Sequence, residues 1–223
     1  SNVGGLIGYA NYTNVSQCYS NANVTGTGDY TGGLIGYATG RTYLDKLIKS
    51  ECYATGDVVG DNYIGGFIGY ATYTDINACF AHGNVKSTAN KSYVAGFIGY
   101  GAQAGHMGYL INSVDITNCY SIGKVSSTAG NGFAAGPGSN VNSSYFDSMT
   151  SGKSTPATQS RSTEQMQQQS TYANWDWINI WEMNGYPILK KIGGPSFIEI
   201  PKVTADSTSD TVSLNWPVVS DAT

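Results

Sequence analysis

Charge is scarce in this chain. Only 12% of its 223 residues are charged, with 11 Lys+Arg against 15 Asp+Glu and a net charge of −4, about half the usual charged share of a globular domain. With so few basic residues, a nucleic-acid partner is not expected, since phosphate backbones need a concentrated cationic patch. No run of 18 apolar residues occurs, so no membrane-spanning helix is expected. Two histidines, His82 and His106, lie in different parts of the chain and make neither a triad nor a zinc set. His-Glu-x-x-His, Gly-x-Ser-x-Gly and a phosphate loop are all missing. The expectation is a chain that is not an enzyme and holds no metal or cofactor. What is plentiful is glycine, 29 residues, and tyrosine, 17 residues. Low charge with many small residues and tyrosines suggests an extracellular β-rich chain.

Four segments share one pattern: Val3-Gly-Gly-Leu-Ile-Gly-Tyr-Ala10, Thr31-Gly-Gly-Leu-Ile-Gly-Tyr-Ala38, Ile64-Gly-Gly-Phe-Ile-Gly-Tyr-Ala71 and Val94-Ala-Gly-Phe-Ile-Gly-Tyr-Gly101. A degraded fifth copy is expected from Ala134, giving periods of 28, 33, 30 and 40 residues. A second block follows each: Cys18 to Val24, Cys52 to Val58, Cys79 to Val85 and Cys119 to Val125, with an aromatic after every cysteine. Then Tyr30, Tyr63, Tyr93 and Phe133 precede the next copy. Two or three short strands per repeat, separated by Gly/Asn/Ser/Thr turns, are expected. Units this short bury no face alone and stack into a solenoid. A propeller blade needs four strands and ~40 residues, so one turn of a parallel β-helix fits the period better.

These Gly-Leu/Phe-Ile-Gly copies with their Cys-aromatic…Val blocks, over residues 3–152, resemble GLUG-motif repeats. The resemblance implies an all-β fold, a right-handed parallel β-helix (a β-solenoid, pectin-lyase-like) of about five coils, in a bacterial cell-surface or secreted protein. It implies no single activity. GLUG repeats can accompany peptidase domains, but the metalloprotease motif is missing here. Asp57 and Asp61 near Lys46 and Lys49 are a faint echo of β-helical polysaccharide lyases.

Cys18, Cys52, Cys79 and Cys119 fall at one position of successive coils, a structural ladder rather than a converging pair. Buried free thiols are the expected state, although neighbouring coils are close enough for disulfides. With the cysteines inward, Tyr19, Tyr53, Phe80 and Tyr120 point outward as a stacked ladder. Tyr9, Tyr37, Tyr70 and Tyr100 make a second. Such ladders hold register and shield the sheet more often than they stack on sugars.

Copies two and four are longer on the same arc, roughly Thr39–Glu51 and Ala102–Thr117, and loops lifted off a rigid scaffold carry function. Arg41, Tyr43, Asp45, Lys46 and Lys49, with His106 and Tyr109 from the second arc, form the candidate surface for a polar or anionic glycan. The competing and preferred expectation for the first arc is a short amphipathic helix with Leu44, Leu47 and Ile48 packed down. Five Asn-x-Ser/Thr matches follow from composition.

Ser162-Thr-Glu-Gln165 reads as a capped helix start. Trp175, Trp177 and Trp181 follow, a segment that resembles the tail closing GLUG arrays and suits a cap for the last coil. From Gly193 onward, with Trp216 as core tryptophan, the chain resembles the first strands of a fibronectin type III domain. The expected organisation is residues 1–152 as the β-helix, 153–192 as the cap and 193–223 as the truncated third piece of a larger modular protein. The chain is expected to be a monomeric, non-catalytic extracellular module that contacts a glycan or host-surface protein, or serves as a spacer. The alternative is an accessory domain of an extracellular hydrolase or peptidase, with a degenerate lyase behind it.

Overall fold

The repeated Gly-Gly-Leu/Phe-Ile-Gly run places glycine where neighbouring coils meet, for a steric reason. The computed structural model describes residues 1–42, 44–89, 93–106 and 109–195. A Cβ on Gly65 would stand 2.0 Å from the Ile68 carbonyl oxygen, and one on Gly66 2.2 Å from that of Gly96. One on Gly69 would lie 2.6 Å from both the Gly36 oxygen and the Thr31 nitrogen. These neighbours are backbone atoms and cannot swing aside. The run is therefore a tight corner at which successive passes of the chain touch through their backbones.

Between corners the strands are short, and each full coil has five of them, more than the two or three expected. In the second coil they are Tyr30–Gly32, Ile35–Thr39, Leu47–Ser50, Tyr53–Ala54 and Val58–Gly60. Each pairs in parallel with its counterpart in the next coil, giving parallel sheets of four, four, five, six and four strands in that order. Two-residue strands show no alternation long enough to read from sequence. The result is the expected parallel β-helix. Register is in step, Ile35 with Ile68 with Ile98, and Tyr37 with Tyr70 with Tyr100, so like residues stack on like.

The fifth copy sits four residues earlier than expected. Asn131 bridges Ala95 and Ala134 bridges Ile98, which aligns Gly132-Phe133 with Gly96-Phe97 and leaves Ala134-Ala-Gly136 as a look-alike. Ring stacking accounts for this phase. Phe67, Phe97 and Phe133 form one buried column with centroids 4.9 and 5.0 Å apart and planes within 3°. Phe133 therefore belongs to the core column and not with Tyr30, Tyr63 and Tyr93.

At another corner, polar side chains replace glycine as the stacking device. Asn23 Oδ1 accepts from the Asp57 amide at 2.9 Å, Asp57 Oδ1 from the Asn84 amide at 2.8 Å, and Asn84 Oδ1 from the Lys124 amide at 3.0 Å. Each side chain thus satisfies a backbone donor one coil on. Asp57 and Asp61 flank the fifth sheet here, whereas Lys46 and Lys49 lie at the third.

Parallel pairing continues beyond residue 152, with Ser160–Arg161 stacked on Phe146–Asp147. Ser162 then caps the helix Thr163–Met166 through the expected capping box with Gln165. The tail does not close the last coil end-on. It doubles back along the flank, placing Met166, Tyr172, Trp175, Trp181, Tyr186 and Leu189 over Tyr53, Phe80 and Tyr120. Lys191 reaches Glu51 of the second coil at 3.2 Å. The ladder expected to face outward does stack, at 4.9, 4.8 and 5.2 Å, but only Tyr19, 50% exposed, stays open. Of the expected fibronectin-like piece, residues 196–223 lie outside the described residues.

Candidate functional site

Among its described residues the first long arc contains no helix. Leu47–Ser50 is a strand of the third sheet, paired with Val15–Ser16 on one side and Thr74–Asn77 on the other. Leu47 is buried as expected, while Ile48 and Leu44 are exposed. The i, i+3, i+4 apolar spacing lost to ladder pairing on both edges, which gives the backbone of the segment partners in two neighbouring coils at once. Among the described residues of this arc, those between Gly40 and Leu47 leave the scaffold, with Thr42 bridged to Asp45.

Strand alternation moves Lys49 indoors. It stands in register with Val15 and Ile76, is 0% exposed, and its Nζ donates to the Thr13 carbonyl at 2.5 Å. Burial pushes its amine down to about 8, against the smaller opposing pull of Cys52 and Cys79. Lys49 is thus removed from the candidate surface: a residue type that reads as solvent-facing occupies a core position.

Lys46 stays outside but is committed. Its side chain, 10% exposed, runs across the third coil to the fourth, pairing with Asp75 at 3.5 Å and more closely with Asp115. Asp75 and Asp115 are direct ladder neighbours. Burial, and then the adjacent Asp115 charge, raises the Asp75 carboxyl despite Lys46. Burial also pushes Asp115 upward, but hydrogen bonds from Lys46 and Asn140 outweigh it and hold Asp115 below the usual range. Two stacked carboxylates share one ammonium, which ties the turn to the scaffold.

What remains of the predicted surface is a depression of about 220 Å³ lined by Tyr12, Asn14, Arg41, Asp45, Lys46 and Leu47. Arg41 and Asp45 are both exposed. The Arg41 guanidinium lies over the Tyr12 ring, 5.4 Å from its centroid, a cation–π contact that orients the fork without neutralising it. The Asn14 carboxamide oxygen accepts from the Ile48 amide at 2.9 Å, which fixes that wall. Tyr12 and Asn14 were not anticipated. They belong to the neighbouring coil, and only the offset of 28 residues between Asn11 and Thr39 brings them beside the turn.

The second long arc is a β-hairpin, Gln103–His106 against Tyr109–Asn112. Tyr109 is 76% exposed at its tip and does not line the depression. Tyr43 and the side chain of His106 lie outside the described residues.

The cysteine ladder is structural. All four thiols are free, and each donates to the carbonyl two residues earlier, Ser16, Ser50, Asn77 and Thr117, at 3.1–3.3 Å. Ser144 takes this position in the fifth coil and makes the same bond at 2.8 Å. The residue just before each has positive φ, Gln17, Glu51, Ala78, Asn118 and Ser143, so the thiol braces a left-handed corner. Burial raises the Cys18 and Cys79 thiols, and the Cys79 hydrogen bond with burial raises Cys52. Protonated thiols in such surroundings are poor nucleophiles.

A further tyrosine surface lies along the first two sheets. Tyr37, Tyr70 and Tyr100 stack at 4.9 and 5.3 Å, and Tyr30, Tyr63 and Tyr93 interleave with them at 4.8–5.7 Å. Their faces are turned to one another, so edges and hydroxyls are what solvent meets. This favours the register-holding reading of the ladder over sugar stacking.

The profile of one known family, the GLUG motif, matches residues 1–25 and 60–86. This motif is typical of extracellular bacterial repeat proteins. No curated protein and no solved structure gives a significant match to the chain. Among the described residues no helix is long and apolar enough to cross a membrane, and no group of three or more His, Cys, Asp or Glu could hold a metal ion.

Proposed function

We propose that this chain is a non-catalytic module of an extracellular bacterial protein, a stiff parallel β-helix that presents a glycan-contact site on the turn of its second coil. The observation that carries the reading is the depression in which the Arg41 guanidinium, held over the Tyr12 ring, and the Asp45 carboxylate stand exposed with no side-chain hydrogen bond or ion pair among the described residues, on a turn anchored by Lys46 to two further coils. Pre-ordered polar groups on a rigid scaffold suit a ligand bound by hydrogen bonds, because little entropy is lost when it docks. The GLUG motif supports the extracellular setting. The Cys52 and Cys79 thiols are buried and raised, and burial pushes His82 down to about 3, which speaks for a binding rather than a catalytic module. The test is binding of the whole chain to an immobilised glycan array spanning host mucin and plant polysaccharides. Reproducible signals lost in Arg41→Ala support the reading. A blank array from folded protein overturns it in favour of a plain spacer.

A further inference from the structure

The sequence placed three cations on the first arc, which left a polar or an anionic glycan open. The structure withdraws two of them. Lys49 is in the core, and Lys46 is shared by Asp75 and Asp115. At and around the depression two cations, Arg41 and Lys46, now face three carboxylates, Asp45, Asp75 and Asp115. The local balance is negative.

We propose that the depression takes one neutral, hydroxyl-rich sugar residue and discriminates against uronic and other acidic sugars. This rests on the glycan-contact reading and gives it a substrate class. Arg41 supplies a planar fork of donors, held by the Tyr12 face. Asp45 supplies carboxylate oxygens that accept from two adjacent hydroxyls. The two groups complement a diol edge, which both donates and accepts, and an acidic sugar would bring its charge beside Asp45. A volume of about 220 Å³ is below the range of pockets for drug-sized ligands and suits one ring. Leu47 closes the floor, and Tyr12, 54% exposed, forms the rim.

Titration calorimetry on the whole chain tests this with two sets of probes. The neutral set is gluco-, manno-, galacto- and xylo-oligosaccharides; the acidic set is oligogalacturonate, hyaluronan fragments and sialyllactose. Each is measured at low and high salt. The expected result is binding of a neutral probe, unchanged by salt and weakened at least tenfold in both Arg41→Ala and Asp45→Asn. Circular dichroism confirms that these exposed positions leave the fold intact. Salt-sensitive binding of acidic probes alone overturns the neutral assignment and leaves the glycan-contact reading standing. Neutral binding indifferent to both substitutions overturns this site. No binding by any probe overturns the glycan reading itself.

Discussion

Lys49 shows how one residue can contradict its type. Its neighbours in the column are Val15 and Ile76, and among the described residues its ammonium has one acceptor, the Thr13 carbonyl. A buried charge with a single hydrogen bond is destabilising relative to an apolar residue of like volume. Lys49→Met is expected to raise stability at pH 7 by about 2 kcal/mol, read as a higher denaturant midpoint. The amine is held at about 8 in the fold against ~10.4 in the unfolded chain. Between those values the unfolded chain binds more protons, so native stability rises with pH, by about 1.4 kcal/mol per unit at most. The natural protein should gain roughly 1–2 kcal/mol from pH 7.5 to 9.5, and Lys49→Met should show no such gain. A flat profile in the natural protein would place the amine in water. The cysteines and Ser144 teach the opposite lesson. Their shared role, bracing a left-handed corner, needs only a small donor at that place, which is why serine can end the ladder.

At the scale of elements, the C-terminal tail matters most. It covers three rungs, Tyr53, Phe80 and Tyr120, of an aromatic ladder that would otherwise face solvent. Its seam holds a short polar chain: Tyr120 donates to the Pro187 carbonyl at 2.6 Å, and His82 Nε2 lies 2.7 Å from the Tyr120 oxygen. Since the phenol proton is spent on Pro187, the imidazole must donate, which assigns the neutral Nε2–H tautomer. Burial pushes His82 down to about 3, whereas an unfolded histidine titrates near 6.5. Stability from this group is complete above pH 6.5 and is lost as pH falls toward 3, because the opened chain takes the proton first. The imidazole is only half-buried at its outer edge, so the loss at pH 4 should be on the order of 2 kcal/mol rather than the full linkage value. Urea midpoints measured from pH 7 to 4 should fall in the natural protein and flatten in His82→Gln. Parallel falls in both would assign the acid sensitivity elsewhere. Three tryptophans in seven residues announce a covering element in the sequence. Which surface they cover was not legible, since that depends on a reversal of chain direction after Arg161.

For the whole molecule, stability is a sum over coils and the interfaces between them. Coils two and three are paired on both sides in all five sheets, whereas coil one is paired on one side only among the described strands. Its Leu6 and Tyr9 are exposed where Leu34 is buried. Hydrogen exchange should therefore be fastest in Ile7–Asn11 and Val15–Ser16, with protection rising sharply at Ile35–Thr39 and Ile68–Thr72. Uniform protection across the coils would mean that the stack opens as one unit.

The sequence by itself determined the solenoid. Parallel, in-register stacking aligns identical positions one coil apart, so the repeat of Gly-Leu/Phe-Ile-Gly and Cys…Val is a direct trace of the columns it builds. It also determined that the second coil would bulge somewhere within Thr39–Glu51, because a longer coil must bulge where its neighbours do not. Only the tertiary structure decided which side chains of that arc face water. Ladder pairing on both sides of Leu47–Ser50 set the alternation, sent Lys49 inward and left Arg41 and Asp45 at the surface. It likewise joined Tyr12 and Asn14 to them and spent Lys46 on two carboxylates. Composition records how many charges an arc carries, but their availability depends on neighbours one and two coils away.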